Sequence, residues 1–228
     1  MRSFAASVVG VLLLAGCAGN GSPMGTTSLV PFDPAAAVGT WALTDDRNVT
    51  FNVILREDGS AVSTWSRGSD GAHGERGGWS VRDGALQVRW TDGWLDTIRV
   101  GRFGFEKLSF GPAEREGDNP TSFGQAVKIT DDAAQWIGVW RTCSVGADSK
   151  GQELFVCLSS DGNAVKSLDA INTGSWEQQA TGVVIYWSDG WFTSLTRGDS
   201  AVQGQSWAPG ADRKGEPAGT ETWTEVTE

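Results

Sequence analysis

The pentapeptide WTDGW, Trp90 to Trp94, returns as WSDGW, Trp187 to Trp191. Its two glycines, Gly93 and Gly190, lie 97 residues apart, and sliding the chain on itself by that offset matches far more than the pentapeptide. Trp79 falls on Trp176, Gly101 on Gly198, Ser109 on Ser206, Pro112 on Pro209 and Pro120 on Pro217. Upstream the offset drifts, as loops of unequal length dictate. Gly39-Thr40-Trp41 still answers Gly138-Val139-Trp140, and Asp58-Gly59 answers Asp161-Gly162. The chain therefore reads as two copies of one module, 39–131 and 138–228, with a joint at 132–137 short enough to bring them into contact.

Each module reads as all-β. Helix signals are nearly absent, glycine is abundant at 31 residues, and turn pairs recur along the chain. In the first module the expected strands are 39–44, 49–57, 60–66, 77–82, 85–90, 94–100, 102–110 and 124–130. Leu86, Val88 and Trp90 alternate with Gln87 and Arg89, the two-residue period of a strand with one buried face. The pentapeptide then falls at a hairpin. A three-residue loop, Thr91-Asp92-Gly93, with glycine in the left-handed position, sets Trp90 opposite Trp94 and Trp187 opposite Trp191. A two-residue Asp-Gly turn instead opposes Trp90 to Leu95.

Eight short sequential strands opening on Gly-x-Trp resemble the lipocalin and avidin barrels. In those families the tryptophan of strand one plugs one end of an eight-stranded up-and-down barrel, a role the resemblance gives to Trp41 and Trp140. The expected fold is two tandem antiparallel up-and-down β-barrels of about eight short strands each; the alternative is one β-sandwich shared by both repeats. A barrel this small leaves little interior beyond its own side chains, so no roomy cavity is expected.

The N-terminus reads as a targeting segment. Arg2 precedes an apolar run, Phe4 to Leu14, about half the length that spans a bilayer. The run ends in Leu14-Ala15-Gly16-Cys17, which resembles the bacterial lipobox. That resemblance implies a signal peptide over 1–16, cleavage before Cys17 and lipidation of Cys17. It also implies a membrane-anchored envelope protein. Ala18, where an aspartate would retain the protein, implies the outer membrane of a Gram-negative bacterium. Residues 17–38, rich in Gly, Ser, Pro and Ala, read as lipidated cysteine plus flexible tether, with a reach on the order of 25 Å. With Cys17 acylated, Cys143 and Cys157 remain of the three cysteines, and in an oxidising compartment they are expected to pair.

The formal net charge of −10 repels phosphate backbones, so nucleic acid is not an expected partner. The one histidine, His73, lies in a glycine-rich loop without a copy in the second module. No metal-ligand cluster, phosphate loop or dinucleotide fingerprint occurs, so the chain reads as non-catalytic and without cofactor. Asp96 has no carboxylate counterpart, because Thr193 takes its place.

Tryptophan is the unusual feature: 12, against one tyrosine. A tryptophan buries about 150–250 Å², and a small barrel needs such residues, so the repeated ones read first as core. A binding surface built on Trp90, Asp92, Trp94, Trp187, Asp189 and Trp191 is the minority reading. The function expected is a lipoprotein whose modules bind another envelope component, protein or glycan. Two alternatives stand beside it. One is an inhibitor of a secreted protease or other hydrolase, by resemblance to small exported lipocalin-like metalloprotease inhibitors. The other is a carrier of a small apolar ligand.

Overall fold

The computed structural model describes residues 32–65, 72–115, 117–146, 150–168, 170–199 and 201–227. The signal segment, Cys17 and the tether as far as residue 31 lie outside the described residues. The sixteen strands form two closed barrels of eight, each with every strand antiparallel to its sequence neighbour and the last closing on the first. The shared sandwich is not what the chain forms.

Barrel 1 runs β1 (Gly39–Thr44), β2 (Thr50–Leu55), β3 (Ser60–Ser63), β4 (Glu75–Arg82), β5 (Ala85–Trp90), β6 (Leu95–Gly101), β7 (Gly104–Phe110) and β8 (Ser122–Ile129). Barrel 2 repeats this as β9 (Gly138–Cys143), β10 (Glu153–Leu158), β11 (Asn163–Leu168), β12 (Ala170–Gln179), β13 (Gly182–Trp187), β14 (Phe192–Arg197), β15 (Val202–Trp207) and β16 (Gly219–Glu225). Inward-facing residues alternate with outward ones as the pleat requires. Trp41, Val53, Leu86, Val88 and Ile98 fill barrel 1; Trp140, Val156, Ile185 and Leu195 fill barrel 2.

Both barrels are sealed at one end by the same device. Trp41 donates its indole N–H to the carbonyl of Ala37 at 2.8 Å, and Trp140 donates to Trp136 at 2.9 Å, four residues back in each case. The last residues of the expected tether and the short joint both pack against the barrels. Phe32 is buried against Trp41 and Phe105, and its amide donates to Gly84. A single helical turn, α1 (Pro34–Ala37), capped by Asp33, carries the acceptor carbonyl into place. In the second copy a 3₁₀ turn, Asp132–Gln135, capped by Asp131, does the same. Buried indole N–H groups need acceptors, so the residues ahead of each Gly-x-Trp belong to the barrel and not to a flexible connection.

The barrels touch. Asn52, fully buried, donates Nδ2 to Ser160 Oγ at 2.9 Å and accepts the Ser160 amide at 2.8 Å. Arg56 reaches Glu225 at 2.7 Å, and Val62, Ala72, Val139 and Cys157 form a small apolar cluster between the two.

The Cys143–Cys157 pairing is also corrected. Strands β9 and β10 are neighbours, but their register sets Cys143 opposite Glu153 and Cys157 opposite Val139. An offset of four positions is about 13 Å along the strands, whereas a disulfide needs Cα atoms within about 7 Å. Both thiols are free, Cys143 exposed and Cys157 buried with its S–H directed to the Ala72 carbonyl at 3.1 Å. Burial pushes the Cys157 thiol up to about 12, only partly opposed by Arg76.

Candidate binding sites at the barrel mouths

The copied pentapeptide is a three-residue hairpin in both barrels. Trp90 donates to Trp94 across the strands at 2.9 Å and Gly93 donates back to Trp90 at 3.0 Å; Trp187, Trp191 and Gly190 repeat this at 3.0 Å each. Asp92 and Asp189 each accept the amide of the second tryptophan at 3.1 Å. The glycines have φ of 93° and 89°, and a Cβ there would lie 3.1 Å from Pro112 or 3.2 Å from Pro209. That explains why the two prolines repeat together with the pentapeptide. The clamp is structural, and it stands at the end of each barrel away from the sealing tryptophan.

At that open end each barrel holds a cavity, of about 350 Å³ in barrel 1 and about 380 Å³ in barrel 2. Below these openings the interiors are filled by their own side chains, Trp41, Leu86 and Ile98 in barrel 1 and Trp140, Ile185 and Leu195 in barrel 2. Both volumes fall at the small end of the range that accommodates small ligands. Trp94, half-buried, lines cavity 1; buried Trp187, exposed Asp189 and half-buried Trp191 line cavity 2. Trp90 is buried below cavity 1, and Asp92 stays in its exposed turn. The structure thus brings four of the six proposed binding residues to a cavity.

Beneath the rims lie polar groups that the sequence reading did not assemble. In barrel 1, Trp90 Nε1 donates to Asp96 Oδ2 at 2.7 Å, and Ser109 donates its hydroxyl to the other oxygen. Lys107, buried, lies over the Phe51 ring at 5.2 Å. In barrel 2, Trp187 Nε1 donates to Thr193 Oγ1 at 3.1 Å, Thr193 and Ser206 share a hydrogen bond of 3.0 Å, and Ser206 donates to Glu221 at 2.8 Å. The carboxylate is therefore not lost from the second copy. It enters from β16 as Glu221 instead of from β14.

Lys166 supplies the ammonium of cavity 2. It pairs with Asp189 at 2.8 Å and lies over the Trp187 ring at 4.5 Å, so both the carboxylate and the indole face offset its burial. Burial pushes the Glu221 carboxyl upward, with the Ser206 hydrogen bond and the nearby Trp223 indole opposing the shift. That indole lies close enough to favour the carboxylate, yet Glu221 Oε2 and Trp223 Nε1 both lack a partner of hydrogen-bond geometry. Among the described residues, no group of three or more His, Cys, Asp or Glu side chains is placed to hold a metal ion.

The signals for these residues were faint. Ser109 and Ser206 do coincide at the 97-residue offset, and Lys107 is a lone charge between the inward Phe105 and Ser109. Glu221 and Lys166 have no counterparts of their own type, Gly124 and Ser63 standing in their places. Comparison with family models, curated proteins and solved structures gives no match for this chain.

Proposed function

We propose that this protein is a non-catalytic, lipid-anchored envelope protein that binds another envelope component through its two barrel mouths. The observation that carries the reading is the retention of one cavity architecture in both copies. Each barrel is sealed at one end by Trp41 or Trp140 and left open at the other, under a tryptophan from the copied hairpin. A fold needing only a packed interior has no call for an open end lined by buried polar side chains, which cost stability unless satisfied. Indole faces over a polar floor suit a sugar ring or a comparable polar group of an envelope partner. The same polar floor weighs against a purely apolar ligand. The lipobox over Leu14 to Cys17 supports membrane attachment, and its Ala18 supports the outer membrane.

The test is affinity purification of the acylated protein from its own membrane, followed by mass spectrometry of proteins and glycans. A component enriched over a control lipoprotein, and lost on replacing Trp94 and Trp191 together by alanine, supports the reading. No enrichment over the control refutes it.

A further inference from the structure

The two cavities are copies, so each shows what the other has changed. Across β7 and β8, Lys107 lies opposite Gly124; at the equivalent place across β15 and β16, Gly204 lies opposite Glu221. Barrel 1 therefore carries its own ammonium group at this level, buried and over an aromatic face. Barrel 2 has deleted that side chain. Trp223, which stands where barrel 1 has Ala126, takes the volume: a Cβ on Gly204 would meet its Nε1 at 2.5 Å. The positive charge has not been restored there. A carboxylate has been added instead, and one of its oxygens lies beside the Trp223 indole without a hydrogen bond of good geometry.

The remaining ammonium of the cavity, Lys166, is held by Asp189. The lining of cavity 2 thus sets one cation against two carboxylates, Asp189 and Glu221, among the indoles of Trp187, Trp191 and Trp223. A part-buried carboxylate that is poorly hydrogen-bonded stabilises a positive charge brought beside it. Aromatic faces favour cations whose charge is spread over carbon-bearing nitrogen, since such ions are weakly hydrated and attracted by the ring quadrupole. Lys166 over Trp187 at 4.5 Å shows that this indole already holds a cation at its face.

We propose that cavity 2 binds a small organic ammonium ion, with its charged head beside Glu221 and its carbon substituents against Trp187 and Trp191. The proposal rests on the reading of the mouths as binding sites and adds the ligand's chemical class. Cavity 1 has more carboxylates in its lining, but Asp45 is paired with Arg47, Asp96 already accepts from Trp90 and Ser109, and Lys107 occupies the place equivalent to Gly204, so it is not expected to take this ligand. A quaternary ammonium and a primary amine on a sugar both carry the required chemistry, and the probes below separate them.

The experiment is calorimetric titration of the mature full chain in detergent micelles with tetramethylammonium, glucosamine and the neutral analogue N-acetylglucosamine. At least one of the two cations is expected to bind with a stoichiometry of one per chain, and N-acetylglucosamine at least tenfold more weakly. Tetramethylammonium binding alone assigns a quaternary head, and glucosamine binding alone a primary amine. Glu221→Gln, which keeps the shape and removes the charge, is expected to weaken cation binding at least tenfold with the circular dichroism spectrum unchanged. Trp191→Ala, at the rim and half-buried, provides a second reduction that leaves the carboxylate in place. The proposal is overturned if neither cation binds, if two bind per chain, or if Glu221→Gln binds as the native protein does. Should an envelope component still be captured through Trp191 in that event, the mouth reading survives and only the cationic class fails.

Discussion

Trp90 and Asp96 are joined at the floor of cavity 1 by an indole-to-carboxylate hydrogen bond of 2.7 Å, six residues apart in sequence and adjacent across the β5–β6 hairpin. The bond secures the first tryptophan of the copied pentapeptide from within, while the hairpin secures the second. In barrel 2 the same indole turns to a hydroxyl, Thr193, at 3.1 Å. Asp96→Leu removes the acceptor of two buried donors, Trp90 and Ser109. At about 1–3 kcal/mol for each donor left unpaired, barrel 1 is expected to lose about 2–6 kcal/mol. Thr193→Val strands fewer groups and is expected to cost less. Urea unfolding of the two variants measures the difference.

Gly93→Ala and Gly190→Ala each place a Cβ at a left-handed φ and within 3.2 Å of a proline carbon. Each is expected to destabilise its own barrel by about 1–2 kcal/mol. Pro112→Ala in the Gly93→Ala background is expected to recover part of the loss, because the steric share of the penalty disappears. A melting series of single and double variants reads this directly.

Asn52 is the centre of the contact between the barrels, donating to Ser160 Oγ and accepting its amide. Asn52→Ala leaves the part-buried Ser160 amide without its acceptor and is expected to cost about 1–3 kcal/mol. If the contact couples the barrels, the variant unfolds in two steps where the native chain unfolds in one. Calorimetry distinguishes the two profiles.

Cys157 makes stability depend on alkaline pH. Its thiol stands at about 12 in the folded protein against an ordinary value of 9.0. The unfolded chain therefore releases this proton first. The contribution is fully present below about pH 9 and is lost as pH rises from there towards 12, at a limiting slope of about 1.4 kcal/mol per pH unit. Comparison with Cys157→Ala isolates this residue from the other groups that titrate there; an identical slope in both proteins sinks the assignment. In the same folded protein a thiol reagent at pH 8 is expected to modify Cys143 at once and Cys157 only on unfolding.

Glu221 acts in the acid range. Its carboxyl is raised above the usual 4.5 by burial, so its contribution to stability is present below that value and is lost as pH rises through the folded-state value. Glu221→Gln is accordingly expected to raise the melting temperature of barrel 2 at neutral pH. A lower one would show that the ionised carboxylate stabilises the barrel.

The hairpin and the barrel class were legible because their signals are local. Leu86, Val88 and Trp90 carry the strand period, and Asp92-Gly93 supplies the turn chemistry. The failures share a different cause. Cys143 and Cys157 flank a hairpin, and nothing short of the β9–β10 register shows that they sit four positions out of line. Residues 32–38 read as tether from their composition, although the Trp41 indole needed an acceptor that only the preceding turn supplies. Asp96 looked unmatched because sequence alignment compares a strand with its own copy. Glu221 restores the carboxylate from a different strand, and only the register of β14, β15 and β16 brings it to Ser206 beside Thr193.

The sealing tryptophans carry a consequence for transport. A closed β-barrel invites thoughts of a conduit, but Trp41 and Trp140 make each barrel a blind-ended cup. Whatever enters leaves by the same door, so occupancy at either mouth is a matter of residence time and not of passage. Two cups on one chain can hold or present a ligand; neither can let one through.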